Sequence, residues 1–360
     1  MTYKLNNTIV NAGNELKEKL SGLNVELLNI SDYNKRYFGS LIKDDQSLKL
    51  NINKYSYLLK SVLKNFDYDD NNKPIFLDYG AGHGMMNLLA VQSNLFSKVI
   101  YSDIFEQSAN DARIIANDIN LLSDIYLVGD IIKIEEFVKN NNFKINIMTS
   151  YDVLEHIYNI ENFISKLPYI FATNFSFVMA SGANPLNPFI EYKIRKLHIN
   201  FENYDRPVVF GRKSTDTLLS LRKQRENIIL KYFREKNYLY NQEELLKLTN
   251  LSRGLLDYDI NYYLKDYLHN GVFNYKPDDP TNTCDSLTGN WFERLMNPFL
   301  LANKFKLHFA KINVSHGYYF SIILNKTYLP KLVLNTLMFI LPTKLSIKLS
   351  PYYIINGKNE

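Results

Sequence analysis

A single cysteine in 360 residues, Cys284, excludes an internal disulfide and any zinc site built from thiolates. Long apolar runs are also missing. Leu332 to Leu341 is mostly apolar but ends after ten residues at Pro342, short of the ~20 needed to span a bilayer. Met1 to Leu20 lacks the charged start and apolar centre of a secretory leader, so a cytoplasmic protein is expected. Lys and Arg exceed Asp and Glu by 42 to 37, yet they are scattered rather than gathered into the concentrated footprint of a nucleic-acid binder. No nucleic-acid partner is expected. With 46% apolar and 22% charged residues the chain should fold as an ordinary globular protein. Its length allows one core with a large insertion, or two cores.

What is present centres on Ile75-Phe76-Leu77-Asp78-Tyr79-Gly80-Ala81-Gly82-His83-Gly84. The apolar run reads as a buried parallel strand, and Met85 to Gln92 as the helix after a tight turn. Glycines there let the backbone turn sharply and admit a ligand with no Cβ in the way, while free amides at the helix start face it. The dinucleotide spacing G-x-G-x-x-G fails, because Met85 and Asn87 stand where its last glycine belongs. The pattern is Asp78-x-Gly80-x-Gly82-x-Gly84.

From 75 to about 181, apolar β-branched runs alternate with helical segments. The runs are Ile75–Leu77, Val99–Tyr101, Ile125–Val128, Ile145–Met148 and Phe175–Ala180. This alternation predicts a parallel sheet with helices on both faces, whose ligands bind outside the carboxyl ends of the strands. Asp103 closes the second strand, where a carboxylate can accept both hydroxyls of a ribose. Taken alone, a strand-end aspartate more simply reads as a helix cap or turn former.

The Asp78-to-Gly84 stretch resembles motif I of class I S-adenosylmethionine (SAM) methyltransferases. Thr149-Ser150-Tyr151-Asp152-Val153-Leu154-Glu155-His156-Ile157 is similar to the D-V-L-E-H stretch of the ubiquinone/menaquinone-biosynthesis type of that superfamily. The resemblance covers residues of about 70 to 181. It implies an α/β fold with a doubly wound, Rossmann-like seven-stranded sheet. It also implies SAM held by Asp78, by Gly80, Ala81, Gly82 and Gly84, by Asp103 and Asp130, and by backbone near Ser150 and Tyr151. Ile104 and Ile131 would sandwich the adenine ring, and Asp78 would act near the methionine end.

Methyl transfer needs an aligned acceptor and exclusion of water, and a hydroxyl acceptor also needs a base. His156 is the first candidate and His198 the second. His156 has two other readings: a structural hydrogen bond, or membership of a metal-binding face Asp152-x-x-Glu155-His156 on a helix. No metal is assigned.

The expected organisation is a helical segment over 1–70, a cofactor-binding core over 71–183, and a helical insertion over 184–303 that forms a lid and acceptor pocket. A closing β-hairpin over 304–326, turning at Ser315-His316-Gly317, and an amphipathic tail over 327–360 complete it. Ser214 to Lys236 reads as one long helix within the insertion. Its loop from Lys276 to Arg294 packs hydroxyls, amides, acids and the chain's one tryptophan into a stretch with little periodicity. Together with Arg253-Gly254 it resembles a block in uncharacterised SAM methyltransferases of bacterial surface-polysaccharide clusters. Asn184, Arg253, Asn290 and Trp291 are therefore the candidate acceptor contacts, for a sugar that hydrogen-bonds amides and stacks on an aromatic ring. The plainer reading makes Trp291 a buried anchor.

The expected activity is methyl transfer from SAM to a hydroxyl of a sugar or sugar-linked intermediate. The alternatives are a quinone-like or lipid acceptor at a membrane surface, with the tail as a peripheral anchor, and a non-catalytic SAM-binding regulator or scaffold. A nicotinamide dehydrogenase is more distant. The oligomeric state is not legible.

Overall fold

The computed structural model describes residues 2–206, 218–321 and 327–358. The chain divides into two compact units, one of residues 1–154, 160–182 and 298–360, the other of residues 155–159 and 183–297.

The first unit is built on a sheet of seven strands: β1 (Ile75–Tyr79), β2 (Lys98–Asp103), β3 (Ile125–Val128), β4 (Ile145–Tyr151), β5 (Phe171–Ser181), β6 (Lys311–His316) and β7 (Tyr353–Lys358). Their order is β3-β2-β1-β4-β5-β7-β6. The first five run parallel, while β7 is antiparallel to both β5 and β6. This is the Rossmann-like α/β sheet expected from the alternation of strands and helices. Phe76, Leu77, Ile100, Ile147 and Met148 are fully buried, which is why the central strands read as unbroken apolar runs rather than alternating ones. Chain order reverses at β1, which has β2 on one side and β4 on the other. The glycine turn therefore leaves the sheet at its topological switch point.

Before β1 the chain forms α1 (Thr2–Ser21), α2 (Asp32–Ile42) and α3 (Asp45–Lys64), and between the strands α4 (Met85–Ser93), α5 (Glu106–Asp118), α6 (Ile131–Asn140) and α7 (Ile160–Ile170). Ile9 and Leu16 of α1, Leu59 and Val62 of α3 and Leu89 of α4 share one core with Phe76, Val99, Ile147 and Val178 of the sheet. Asp111 on α5 anchors α2. It accepts hydrogen bonds from the Ser31 backbone N–H at 3.2 Å, the Ser31 hydroxyl and the Asn34 side-chain Nδ2 at 2.8 Å.

The second unit holds α8 (Pro188–Asn203), α9 (Leu221–Glu235), α10 (Gln242–Leu251) and α11 (Asp257–Asn270). Ile229, Phe233, Leu248, Ile260 and Leu264 form its apolar centre. The long helix expected over 214–236 starts at Leu221, capped by the Ser220 side chain; residues 214–217 lie outside those described. The insertion ends at residue 297 rather than 303, because α12 (Pro298–Phe305) belongs to the first unit.

The expected closing hairpin is corrected. Residues 318–321 form no strand, 322–324 lie outside the described residues, and the partner of β6 is β7. Alternation over Lys311–His316 marks a strand without naming its neighbour. Tyr353, Ile354 and Ile355, all buried, fill the gap beside β5 and pair with β6 as well. The tail is thus an excursion that ends in the sheet. It carries α13 (Tyr328–Ile340) and α14 (Thr343–Leu349) between β6 and β7. Among the described residues no helix is long and apolar enough to cross a membrane.

Gly357 lies in β7 where an added Cβ would fall 2.1 Å from the Phe177 ring and 2.9 Å from Ile312. Overpacking of this kind costs about 1–3 kcal/mol, so Gly357→Ala should lower the midpoint of thermal unfolding by several degrees in a melting experiment.

Candidate functional site

Gly80, Gly82 and Gly84 all adopt positive φ, at 71°, 52° and 79°. The two reasons that matter differ. A Cβ at Gly80 would strike the Val153 side chain at 2.4 Å, whereas at Gly82 it would meet nothing within 4 Å. Gly80 is thus required by packing and Gly82 by conformation alone, and the space over Gly82 stays open to a ligand. The expectation of free amides is narrowed, because four amides of the turn are engaged within it. The Ala81 N–H donates to Ser102 O, Gly82 N–H to Asp103 Oδ2, Gly84 N–H to Ala81 O and Met85 N–H to His83 Nδ1, at 2.9, 2.9, 2.9 and 3.2 Å. These groups build the turn, and what the turn presents is space and carboxylates.

Asp103 is held by two amides, Gly82 N–H on Oδ2 and Phe105 N–H on Oδ1, both at 2.9 Å. Asp78, 5% exposed at the end of β1, accepts from the Thr149 hydroxyl at 3.1 Å. Burial pushes its carboxyl up to about 7, against the Thr149 hydrogen bond and with help from Asp103. A cation placed beside it would reverse that shift. The Ser150 hydroxyl, at the end of β4, is buried with no hydrogen-bond partner among the described residues, so a polar ligand would relieve it.

The remaining predicted contacts divide. Tyr151 is half-buried, with the Lys54 ammonium 4.0 Å above its ring. Asp130 is exposed and caps α6, accepting from Ile132 and Lys133 N–H through Oδ1 at 3.0 and 3.3 Å. Ile104 is 59% exposed but Ile131 only 3%. The expected pair around an adenine ring is therefore corrected to Ile104, since Ile131 packs into the core as the first residue of α6.

Sequence reasoning missed a group contributed by α2 and α3. His83 is buried, its Nδ1 accepting from Met85 N–H while Nε2 lies 3.3 Å from the Tyr55 hydroxyl. Burial, aided by Lys54, pushes it down to about 3, so it is neutral with the proton on Nε2. The Tyr37 ring lies 5.4 Å from His83 and stacks on Tyr33 at 5.7 Å. In the sequence Tyr33, Tyr37, Lys54 and Tyr55 read as ordinary packing of helical segments, which gives no signal of a site.

No family model matches the chain, and no curated protein does. Likenesses to solved structures are partial. A SAM-dependent methyltransferase from Clostridium acetobutylicum is 16% identical over 52% of this chain and 66% of its own, with a TM-score of 0.34. The YcgJ protein of Bacillus subtilis is 15% identical over 41% of this chain and 58% of its own, at a TM-score of 0.32. Magnesium protoporphyrin IX methyltransferase from Synechocystis, solved with bound SAH, is 16% identical over 42% and 64%, at 0.32. The chain spans less than two thirds of the length of YcgJ and of the Synechocystis enzyme. At such identities the fold rests on the strand order of the chain itself.

In the second unit, the predicted acceptor residues are largely spoken for. Trp291 is 5% exposed, parallel to the Tyr158 ring at 6.1 Å, with the Arg294 guanidinium 4.6 Å from its centre. Asn184 is buried and accepts from Leu186 N–H at 3.1 Å. Arg253 donates to Thr281 O and lies 3.4 Å from Glu202, and Asn290 is half-buried. The polar loop is consumed by a buried network. Glu202 takes both guanidinium nitrogens of Arg225 at 3.0 and 2.7 Å and the Thr283 hydroxyl, while Asp285 takes Arg206 at 2.9 Å and Gln224 at 3.0 Å. Trp291 and Asn184 are therefore corrected from sugar contacts to interior anchors. Cys284 is buried, and burial pushes its thiol up, which keeps it inert.

His198 is corrected likewise. It is fully buried, and its Nε2 donates to the carbonyls of Phe292 and, at 3.2 Å, Glu293, which makes it a structural donor rather than a base. His156 donates from Nδ1 to Trp291 O at 2.8 Å, leaving Nε2 as the acceptor of the neutral ring. The helical face needed to align Asp152, Glu155 and His156 is absent: Leu154–His156 is a single 3₁₀ turn. The Asp152 carboxylate accepts instead from Gly182 N–H at 2.8 Å. Among the described residues no three His, Cys, Asp or Glu side chains gather into a metal site.

Two outcomes follow from these environments. Asp78 ionises near 4 unfolded and near 7 folded, so the folded state binds its proton more tightly. The contribution of Asp78 to stability is then greatest in acid, falls as pH rises from about 4 to 7, and stays at the lower level above that. Asp78→Asn should raise the melting temperature of the ligand-free protein at pH 8 and leave it little changed at pH 4. Removing one partner of a buried pair costs about 3–5 kcal/mol, so Arg225→Met, which takes the bidentate partner from Glu202, should be strongly destabilised in urea titrations.

Proposed function

We propose that the chain is a SAM-dependent methyltransferase that methylates an oxygen of a small polar acceptor. One observation carries the proposal: at the switch point of the sheet, the open turn at Gly82 is hydrogen-bonded through its amide to the carboxylate of Asp103. A ribose at that place would give its hydroxyls to the Asp103 carboxylate. Asp78 would accept the ammonium of the amino-acid end, its buried charge then compensated rather than isolated. The Ser150 hydroxyl would gain the partner it lacks, and Ile104 would cover one face of the adenine. Bound there, SAM supplies a sulfonium methyl that is electrophilic without further activation.

The protein's part is then alignment and exclusion of water. The Tyr33, Tyr37 and Tyr55 rings beside neutral His83 suit that role, since they bring apolar area to the turn without another charge. His156, whose ring keeps Nε2 as an acceptor, is the base we assign to a hydroxyl acceptor. A sugar or sugar-linked hydroxyl fits this chemistry. A lipid-linked form of it is favoured by the exposed apolar helix α13, and a regulator that binds SAM without turnover is the reading that a lack of activity would favour.

Calorimetric titration tests the cofactor. SAM and its demethylated product should bind and NAD should not, with Asp103→Ala weakened at least tenfold while its melting curve stays cooperative. Absence of binding to well-folded protein overturns the proposal. With an acceptor in hand, His156→Ala should keep SAM affinity and lose roughly a hundredfold or more in kcat, measured by methyl transfer.

A further inference from the structure

α13 is built inside out. Asn335 and Lys331 face the protein: Asn335 accepts from Tyr319 N–H and donates to Tyr319 O, both at 2.9 Å, and the Lys331 ammonium donates to Phe320 O at 3.1 Å. Together with buried Met338 they form an i, i+4, i+7 stripe against the first unit. The apolar residues point outward. Leu329 is 69% exposed, Val333 57%, Phe339 79% and Ile340 71%, and Leu332, Leu337 and, on α14, Leu345 are exposed as well. A soluble helix has the opposite arrangement. Contiguous exposed apolar surface of this kind marks an interaction site.

Charge decides the partner. Between Glu293 and Glu360 the sequence has no Asp or Glu at all, and eight lysines. Lys344 and Lys348 are exposed on α14, next to the apolar face. An apolar helix face flanked by unopposed lysines complements an anionic lipid surface, into which the side chains insert while the ammonium groups meet headgroup phosphates. The helix has only 13 residues, which suits lying in the interface and not crossing it.

Topology sets what such a contact would present to the lipid. The excursion leaves the sheet at His316 and returns at Tyr353, which pair with each other, and Tyr353 also pairs with Ser181 at the end of β5. Both points lie at the edge where the parallel strands end and the glycine turn begins. The Tyr352 ring is 5.8 Å from Tyr151 of that edge.

We infer that α13 and α14 form a docking surface for anionic membranes, and that it holds the ligand-binding edge of the sheet next to the bilayer. The surface stands on the helix and its charge, and does not depend on the cofactor. Flotation of the full chain with vesicles tests it. The protein should float with phosphatidylcholine vesicles that contain phosphatidylglycerol and much less with phosphatidylcholine alone. Phe339→Ser with Ile340→Ser should abolish flotation, and Lys344→Glu with Lys348→Glu should weaken it roughly tenfold or more. Each variant should retain the melting curve and SAM titration of the unaltered chain. No flotation of the unaltered chain overturns the inference, as does flotation undiminished in the serine variant. So does a dimer in light scattering that the serine pair dissociates without any vesicle binding, which would assign the face to a second copy. Loss of SAM binding with flotation intact would instead remove the methyltransferase reading and leave the docking surface standing.

Discussion

The hydrogen bond from the Gly82 amide to the Asp103 carboxylate is the constraint on which the site depends. It ties the turn after β1 to the end of β2, across the strand pair at the switch point. The same carboxylate fixes the start of the next segment through the Phe105 amide. Around this tie the Tyr101 hydroxyl donates to Gly82 O at 2.6 Å and the Ala81 amide bonds Ser102. The turn is thus preorganised before any ligand arrives, and its glycines hold a shape rather than supply flexibility. Asp78 adds the opposite ingredient, a carboxylate held in the interior at an energetic disadvantage that a bound cation would remove.

The second unit shows how polar composition can mislead. The stretch from Lys276 to Arg294 has the hydroxyls, amides and acids of a sugar-binding loop, and those of Asn282, Thr283 and Asp285 are spent inside. Asn282 exchanges hydrogen bonds with the Leu295 backbone, and Asp279 pairs with Arg195. Glu202 and Asp285 are each closed by an arginine from elsewhere in the unit. With four helices among its described residues and a modest apolar centre, the unit stabilises its irregular loop by satisfying buried charge, and every such group needs its partner. A functional loop and a structural one have the same letters here.

The C-terminal region inverts the lesson. Its alternating and apolar segments suggested a hairpin and a loose tail. In the fold, the last strand instead enters the sheet between β5 and β6, and the apolar segment is presented outward by hydrogen bonds of Asn335 and Lys331. Those two polar contacts are what turn the helix over.

By itself the sequence determined the α/β class, the five parallel strands and the glycine turn. Each is written in local patterns: apolar runs of strand length, glycines where φ is positive, an acid where a strand ends. The carboxylates of Asp78 and Asp103 were legible for the same reason. Tertiary structure alone decided the partner of β6, the burial of Ile131, His198 and Trp291, and the neighbours His83 and Tyr55. These depend on which surfaces meet after the chain has closed over more than twenty residues, and neither alternation nor helical spacing carries that information. A side chain's chemistry is local; whether it faces a ligand or the interior is settled by what packs against it.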